Sequence, residues 1–240
     1  MPSYATLAYD WCKVRLGVPC ITAAQHAAMR AELRACQAAI AGCNDAQQPF
    51  ENDMCLQAGA RCERYLSYYL NTSRSPHNIR GAWDGSARGA PPEAVTAFLA
   101  RPAVRAALGV AAGAPPWAAS SAAVRRRFAY DAYKTVNATV ARLLEGGLRV
   151  WVYAGDLDYM GNWVGAKAWL RALQWPGAAG FAAAPDTEFV VDGRWAGRER
   201  TYGNLTFVQV YEAGHAVPTD APAVALQIIE HFMDGASLSP

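Results

Sequence analysis

Residues 150–163 read V-W-V-Y-A-G-D-L-D-Y-M-G-N-W. The run from Leu148 to Tyr153 is apolar and rich in β-branched and aromatic residues. It is too short for a typical helix, so it reads as a buried strand. The strand is expected to break at Ala154-Gly155, before Asp156 and Asp158, with a helix from Gly161 to Leu173. An acid just past the end of a buried strand lies where open α/β sheets carry their working residues. A second apolar strand is expected from Leu205 to Tyr211, and it runs into Glu212-Ala213-Gly214-His215-Ala216-Val217-Pro218. The simplest arrangement is one sheet that brings an acid and a histidine together at neighbouring strand ends. Alone, Gly-Asp-x-Asp is an ordinary Asx turn and Gly-His-x-x-Pro an ordinary loop. Together and in this order they point to chemistry.

The surrounding chain alternates helix and strand. Glu188 to Val191, Asp192-Gly193 and Arg194-Trp195 read as a β-hairpin with an Asp-Gly turn. Pro176 to Pro185 reads as a loop, and Asp220 to Phe232 as a closing helix. Upstream, Ala122 to Leu144 reads as one long helix. Its stripe of Val124, Phe128, Tyr133, Val136, Val140, Leu143 and Leu144 is assigned to the core. Short helices are expected over Pro92–Leu99 and Ala103–Leu108. Thr22 is a candidate N-cap for a helix from Ala23 to Ala41, and Met54 to Leu70 reads as a further helix. Residues 1–20 look irregular. The expected division is a helical cap over residues 1–90 and a core over residues 91–240.

Six cysteines all lie between Cys12 and Cys62. Cys36 and Cys43 are seven apart, as are Cys55 and Cys62, so each pair lines one helix face. If those helices form an antiparallel hairpin, Cys43 meets Cys55, Cys36 meets Cys62, and Cys12 and Cys20 remain for a local loop. A zinc site fits poorly, because zinc favours short Cys-x-x-Cys loops. Buried free thiols would leave the mirrored spacing unaccounted for. Three N-x-S/T sequons, at Asn71, Asn137 and Asn204, agree with an oxidising compartment. The chain has 240 residues, 52% hydrophobic and 18% charged, with a net charge of +2. That balance is globular. Arg125-Arg126-Arg127 reads as a solvated helix face rather than a nucleic-acid contact. No run is long and apolar enough for a membrane span. The first residues lack a signal-peptide pattern, so the chain is expected to be incomplete at its N-terminus.

The element order is that of the tail of an α/β-hydrolase, whose triad runs Ser, then Asp or Glu, then His. His215 is the candidate general base, because histidine is the side-chain type that takes and returns a proton near neutral pH. Asp158 is the candidate for holding its tautomer, and Asp156 is expected to bond loop backbone. Gly214 is expected to allow a sharp turn. The loop histidine His77 receives no role. No Gly-x-Ser-x-Gly occurs; Gly85-Ser86-Ala87-Arg88-Gly89 comes closest and follows no strand. The chain is therefore expected to be the C-terminal part of an α/β-hydrolase fold with a disulfide-stapled helical excursion.

Y-A-G-D-L-D-Y-M-G-N-W-V-G-A-K-A-W resembles the acid segment of serine carboxypeptidases, and E-A-G-H-A-V-P-T-D-A-P resembles their histidine segment. The stapled hairpin and F-A-Y-D-A-Y-K are also similar to that family, so the resemblance covers nearly the whole chain. It implies release of single residues from peptide C-termini, usually best at acid pH, without a metal or other cofactor. It implies Asp158 and His215 as triad members and the pairings Cys12–Cys20, Cys36–Cys62 and Cys43–Cys55. Met160 and Gly161 would line the pocket for the residue before the scissile bond, and Ala216 would sit beside the leaving-residue pocket. Gly161 and Ala216 are smaller than the cysteine and methionine found at these places in that family, so the resemblance implies that both pockets are roomier. The serine, the oxyanion donors and the carboxylate-recognising residues would come from a partner half, in the same chain or a second one. A peptide is the implied substrate, with the secretory pathway, a vacuole or lysosome, or the extracellular space as compartment. Acyl transfer on the same fold, and a non-catalytic binding protein, are the alternatives.

Overall fold

The computed structural model describes residues 2–45, 53–83 and 92–239. The first half is helical: α1 (Pro2–Thr6), a π-helical turn at Leu7–Trp11, α2 (Cys12–Leu16), α3 (Ala23–Cys43), α4 (Asp53–Leu70), α5 (Pro92–Leu99), α6 (Pro102–Ala107), α7 (Ala122–Phe128) and α8 (Asn137–Glu145). The second half mixes the classes: β1 (Val150–Gly155), α9 (Trp163–Arg171), α10 (Ala178–Ala183), β2 (Thr187–Val191), β3 (Arg194–Tyr202), β4 (Leu205–Val210), α11 (Val217–Asp220) and α12 (Pro222–Asp234).

The four strands form one sheet in the order β1-β4-β3-β2. β1 and β4 run parallel, in register from Val150 opposite Leu205 to Gly155 opposite Val210. β3 is antiparallel to β4, and β2 to β3. The β2–β3 turn has positive φ at Asp192 and at Gly193, the paired conformation that an Asp-Gly hairpin turn requires. β4 is buried along its whole length. Its side chains alternate between faces. Leu205 and Phe207 join Leu170, Leu173 and Phe181 on one side, while Val208 and Val210 join Phe189, Val217 and Ile228 on the other. A mixed sheet with helices over both faces is an α/β-hydrolase-type architecture.

Thr22 caps α3 through a capping box with Gln25. α3 and α4 form the stapled hairpin, with Cys36 bonded to Cys62 and Cys43 to Cys55. Cys12 is bonded to Cys20. The chain's end is held separately. Ser237 Oγ, Ser239 Oγ and the amides of Leu238 and Ser239 all donate to the Glu199 carboxylate. Burial of Glu199 acts to raise its pKa, but these four donors outweigh it and hold the carboxyl below its ordinary range.

Several expectations are corrected. Residues 2–16 are helical rather than irregular; Ala5, Leu7, Ala8 and Cys12 form a face buried against Tyr65 and Met29. The segment from Ala122 to Leu144 is two helices, not one. Asn44 from the hairpin bonds Tyr133 O and Thr135 N at 2.8 Å each, and Lys134 donates to Cys43 O. The two Asn44 bonds take backbone groups that a continuous helix would use, and the Lys134 side chain pins the segment to the hairpin. Val124, Phe128, Val136 and Leu143 are exposed, so most of that stripe is not core. α10 lies inside the expected loop at 176–185, anchored by fully buried Phe181. Ala154 and Gly155 continue β1 rather than break it. The nearest serine to a nucleophile motif, Ser86, falls outside the described residues, as do the tip of the hairpin and the boundary near residue 90.

Peptide mapping without reduction should recover Cys36 with Cys62 and Cys43 with Cys55. Replacing Cys36 and Cys62 together by alanine should lower unfolding stability by about 2–4 kcal/mol in denaturant titrations. A loss well below 1 kcal/mol would show that the staple does not hold the hairpin.

Candidate active site

The parallel, in-register β1–β4 pair ends both strands on one sheet edge, and the acid and histidine loops leave from there. Leu157 N donates to Ala213 O at 2.9 Å, so the two loops run side by side from their first residues. Gly155 fits because a Cβ there would overlap the carbonyl oxygens of Ala213 and Gly214. Three residues on, Asp158 Oδ2 lies 2.8 Å from His215 Nδ1. Asp158 is buried, its side chain 5% exposed, while the His215 side chain is 55% exposed. A carboxylate accepts and does not donate, so the arrangement favours the tautomer with the proton on Nδ1, which puts the lone pair of a neutral ring on Nε2.

Asp156 takes a different role. Its Oδ1 accepts from Glu212 N at 2.9 Å, which ties the end of the acid strand to the histidine loop. Its Oδ2 lies 3.2 Å from Arg15 Nε. Arg15 and Arg80 both pair with the exposed carboxylate of Glu212. Glu212 is one of two described non-glycine residues with positive φ, at 63°. Burial pushes the Asp156 carboxyl up to about 7, with Arg15 and Arg80 pulling the other way. Trp11 Nε1 also donates to Asp156 O at 2.6 Å, and Tyr4 OH donates to Met160 O at 2.8 Å. The N-terminal helices therefore brace the acid loop directly.

Gly161 abuts the pair: a Cβ there would lie 2.9 Å from Asp158 Oδ2 and 3.7 Å from His215 Nδ1. Met160 and Gly161 line a cavity of about 320 Å³ with Ser3, Tyr4, Asn162 and Trp169. Ala216 follows His215 as the N-cap of α11. Gly214 does not adopt a positive φ. It is needed for a close approach instead, because a Cβ would overlap the His77 carbonyl oxygen. Among the sequons, Asn71 and Asn137 are exposed. Asn204 is half-buried, and its amide nitrogen donates to Gly147 O at 3.0 Å.

The sequence reading passed over three contributors. The His77 ring lies 5.2 Å from that of His215, and Arg15 and Arg80 hold the acidic cluster. A buried carboxylate at Asp156 calls for a nearby cation, yet nothing in the order of residues says which arginine reaches it. Among the described residues, no group of three or more His, Cys, Asp or Glu side chains is placed to hold a metal ion.

Residues 11–235 match the family model for serine carboxypeptidases. The chain belongs to that family. It is 38% identical to Serine carboxypeptidase-like 48 of Arabidopsis thaliana over 143 residues, covering 60% of this chain and 28% of that protein. It is 32% identical to Carboxypeptidase Y homolog A of Emericella nidulans over 212 residues, covering 83% and 37%. Carboxypeptidase Y of Komagataella phaffii is likewise 32% identical, over 83% of this chain and 38% of that protein. The chain thus spans well under half the length of these curated relatives. Among solved structures, it superposes on Kex1(delta)p, a prohormone-processing carboxypeptidase from Saccharomyces cerevisiae. The TM-score is 0.68 at 20% identity, over 98% of this chain and 52% of that one. That likeness speaks for the fold.

The raised pKa of Asp156 has a signed consequence. Between about 4, its unfolded value, and about 7, its folded value, the folded chain holds a proton that the unfolded chain has lost. Stability from the neutral carboxyl is complete below about pH 4 and is lost as pH rises through 7. Thermal melts should show a midpoint that falls over this window, and Asp156→Asn should flatten the dependence. An unchanged slope in the variant would assign the linkage to another group.

Proposed function

We propose that this chain is the acid-and-histidine portion of a serine-type carboxypeptidase that releases C-terminal residues from peptides. The observation that carries the reading is the 2.8 Å bond from His215 Nδ1 to the buried Asp158 carboxylate, with the His215 side chain 55% exposed. His215 Nε2 takes the proton of a serine hydroxyl as that oxygen attacks the scissile carbonyl, then returns it to the amine of the departing residue. Asp158 holds the ring and stabilises the imidazolium in between. The serine and the oxyanion donors are supplied by an N-terminal half, in cis or as a second chain. Two features support such a partner. The 240 residues contain no Gly-x-Ser-x-Gly, and among the described residues β1 pairs only with β4, leaving its outer edge open. The cavity beside Met160 and Gly161 takes the residue before the scissile bond, and the stapled hairpin belongs to a cap over the site. Three disulfides favour an oxidising compartment, secretory, vacuolar, lysosomal or extracellular. No described helix is long and apolar enough to cross a membrane.

The chain alone should neither hydrolyse a blocked dipeptide nor take a fluorophosphonate label, because a base without a nucleophile forms no acyl-enzyme. Adding the serine-bearing half should give turnover. In that assembly His215→Ala should abolish it, and Asp158→Asn should lower kcat by about 10⁴ through the wrong tautomer. Turnover by residues 1–240 alone, lost in His215→Ala and accompanied by a labelled serine within them, would overturn the two-part reading. An assembly that takes the label but turns over only in the presence of an acyl acceptor would identify a transferase instead.

A further inference from the structure

Residues 75–79 form a strap between the acid loop and the histidine loop. Pro76 O accepts from both Tyr159 N and Met160 N, at 3.1 and 3.2 Å. Ile79 N donates to Leu157 O at 2.9 Å, and His77 O accepts from His215 N at 2.7 Å. One short segment therefore bonds to the residues on both sides of Asp158 and to His215 itself. Asn78 is the side chain that locks the strap to the histidine loop. It is 9% exposed. Its Nδ2 donates to Asp220 Oδ2 at 3.2 Å, and that same oxygen accepts from Gly214 N at 2.8 Å. Its Oδ1 accepts from Arg80 N at 3.1 Å. A Cβ on Gly214 would come within 2.8 Å of Asn78 Cβ, so the two segments are in contact at this point.

We propose that Asn78 is a positioning residue for His215, acting through Asp220. The inference rests on the reading of Asp158 and His215 as a working pair and adds a part to it. Asn78 bonds to Asp220 and Arg80, not to the imidazole. Its amide fixes the Asp220 carboxylate, which fixes the amide of Gly214, the residue that leads into His215. Replacing Nδ2 by a carboxylate oxygen keeps the shape and the acceptor for Arg80 N. It places two negative charges about 3 Å apart, where like charges expel one another. Asp220 then swings away, Gly214 N loses its acceptor, and the imidazole turns out of line with Asp158. In a free imidazole the Nε2-protonated tautomer is preferred, so the tautomer reports the alignment.

The test is imidazole nitrogen NMR on the 240-residue chain at about pH 8, above the ordinary titration range of both side-chain types. His215 is assigned by its disappearance in His215→Gln. The parent chain should show His215 mainly protonated at Nδ1. Asn78→Asp should at least halve that population while the melting midpoint moves by only a few degrees. The pair Asn78→Asp with Asp220→Asn, which again sets an amide opposite a carboxylate, should restore it. A parent chain lacking the Nδ1-protonated form would defeat the reading of the pair itself. A parent chain showing it, with Asn78→Asp unchanged, would defeat the role of Asn78 alone. Where Asn78→Asp does not fold, the exchanged pair decides: a folded chain with the Nδ1 tautomer supports the inference, and one without it overturns it. If the exchanged pair also fails to fold, Asn78→Ser decides, since it removes the amide without adding charge: loss of the Nδ1 tautomer in a folded chain supports the inference, and its retention overturns it.

Discussion

The parallel pairing of β1 with β4 is the constraint on which the site depends. A one-residue slip would turn every side chain of β1 to the other face. It would also carry Asp158 about 3.3 Å along the strand direction, further than the 2.8 Å bond to His215 can absorb. Register is secured by burial on both faces of β4, where Leu205 and Phe207 fill one layer and Val208 and Val210 the other. The chemistry of the loops is thus set by packing several residues away.

The loops leaving that edge are held by more than the strands. The acid loop is bonded from α1 by Tyr4, from the π-helical turn by Trp11 and from the strap by Pro76 and Ile79. The histidine loop is bonded by Asp156, His77 and Asp220. Tyr69, near the end of α4, stacks on Tyr159 with ring centroids 3.8 Å apart, next to Asp158. The stapled hairpin therefore ends in direct contact with the acid loop. Its rigidity is part of the geometry of the site rather than a separate ornament.

What could be read beforehand followed from local rules. The two strands, the Asp-Gly turn, the Thr22 cap and the hairpin rest on periodicity, turn chemistry and helical spacing, each decided within a few residues. The choice of Asp158 over Asp156 came from its place in the loop. What could not be read depends on contacts distant in sequence. The break between α7 and α8 is imposed by Cys43 and Asn44, roughly 90 residues away, which bond Lys134, Tyr133 and Thr135. The helices of residues 2–16 have no marked local signal and form because one face packs under Tyr65. Arg15, Arg80 and His77 belong to the site only through the fold, and residue type alone does not separate them from any solvated side chain.

The open edge of β1 bears on how the molecule comes to exist. Leu148 and Tyr153 are exposed beside it, with Ile229 and Met233 on the neighbouring helix, and no proline or lysine interrupts Val150–Gly155. Such an edge lacks the devices by which strands avoid their own kind. If the proposed N-terminal half pairs there, the fate of the edge is a race between capture by that half and pairing with another copy of this chain. Synthesis order then becomes a structural parameter. A neighbour made earlier on the same polypeptide meets the edge at a high local concentration as soon as it emerges, whereas a separate chain must find it by diffusion.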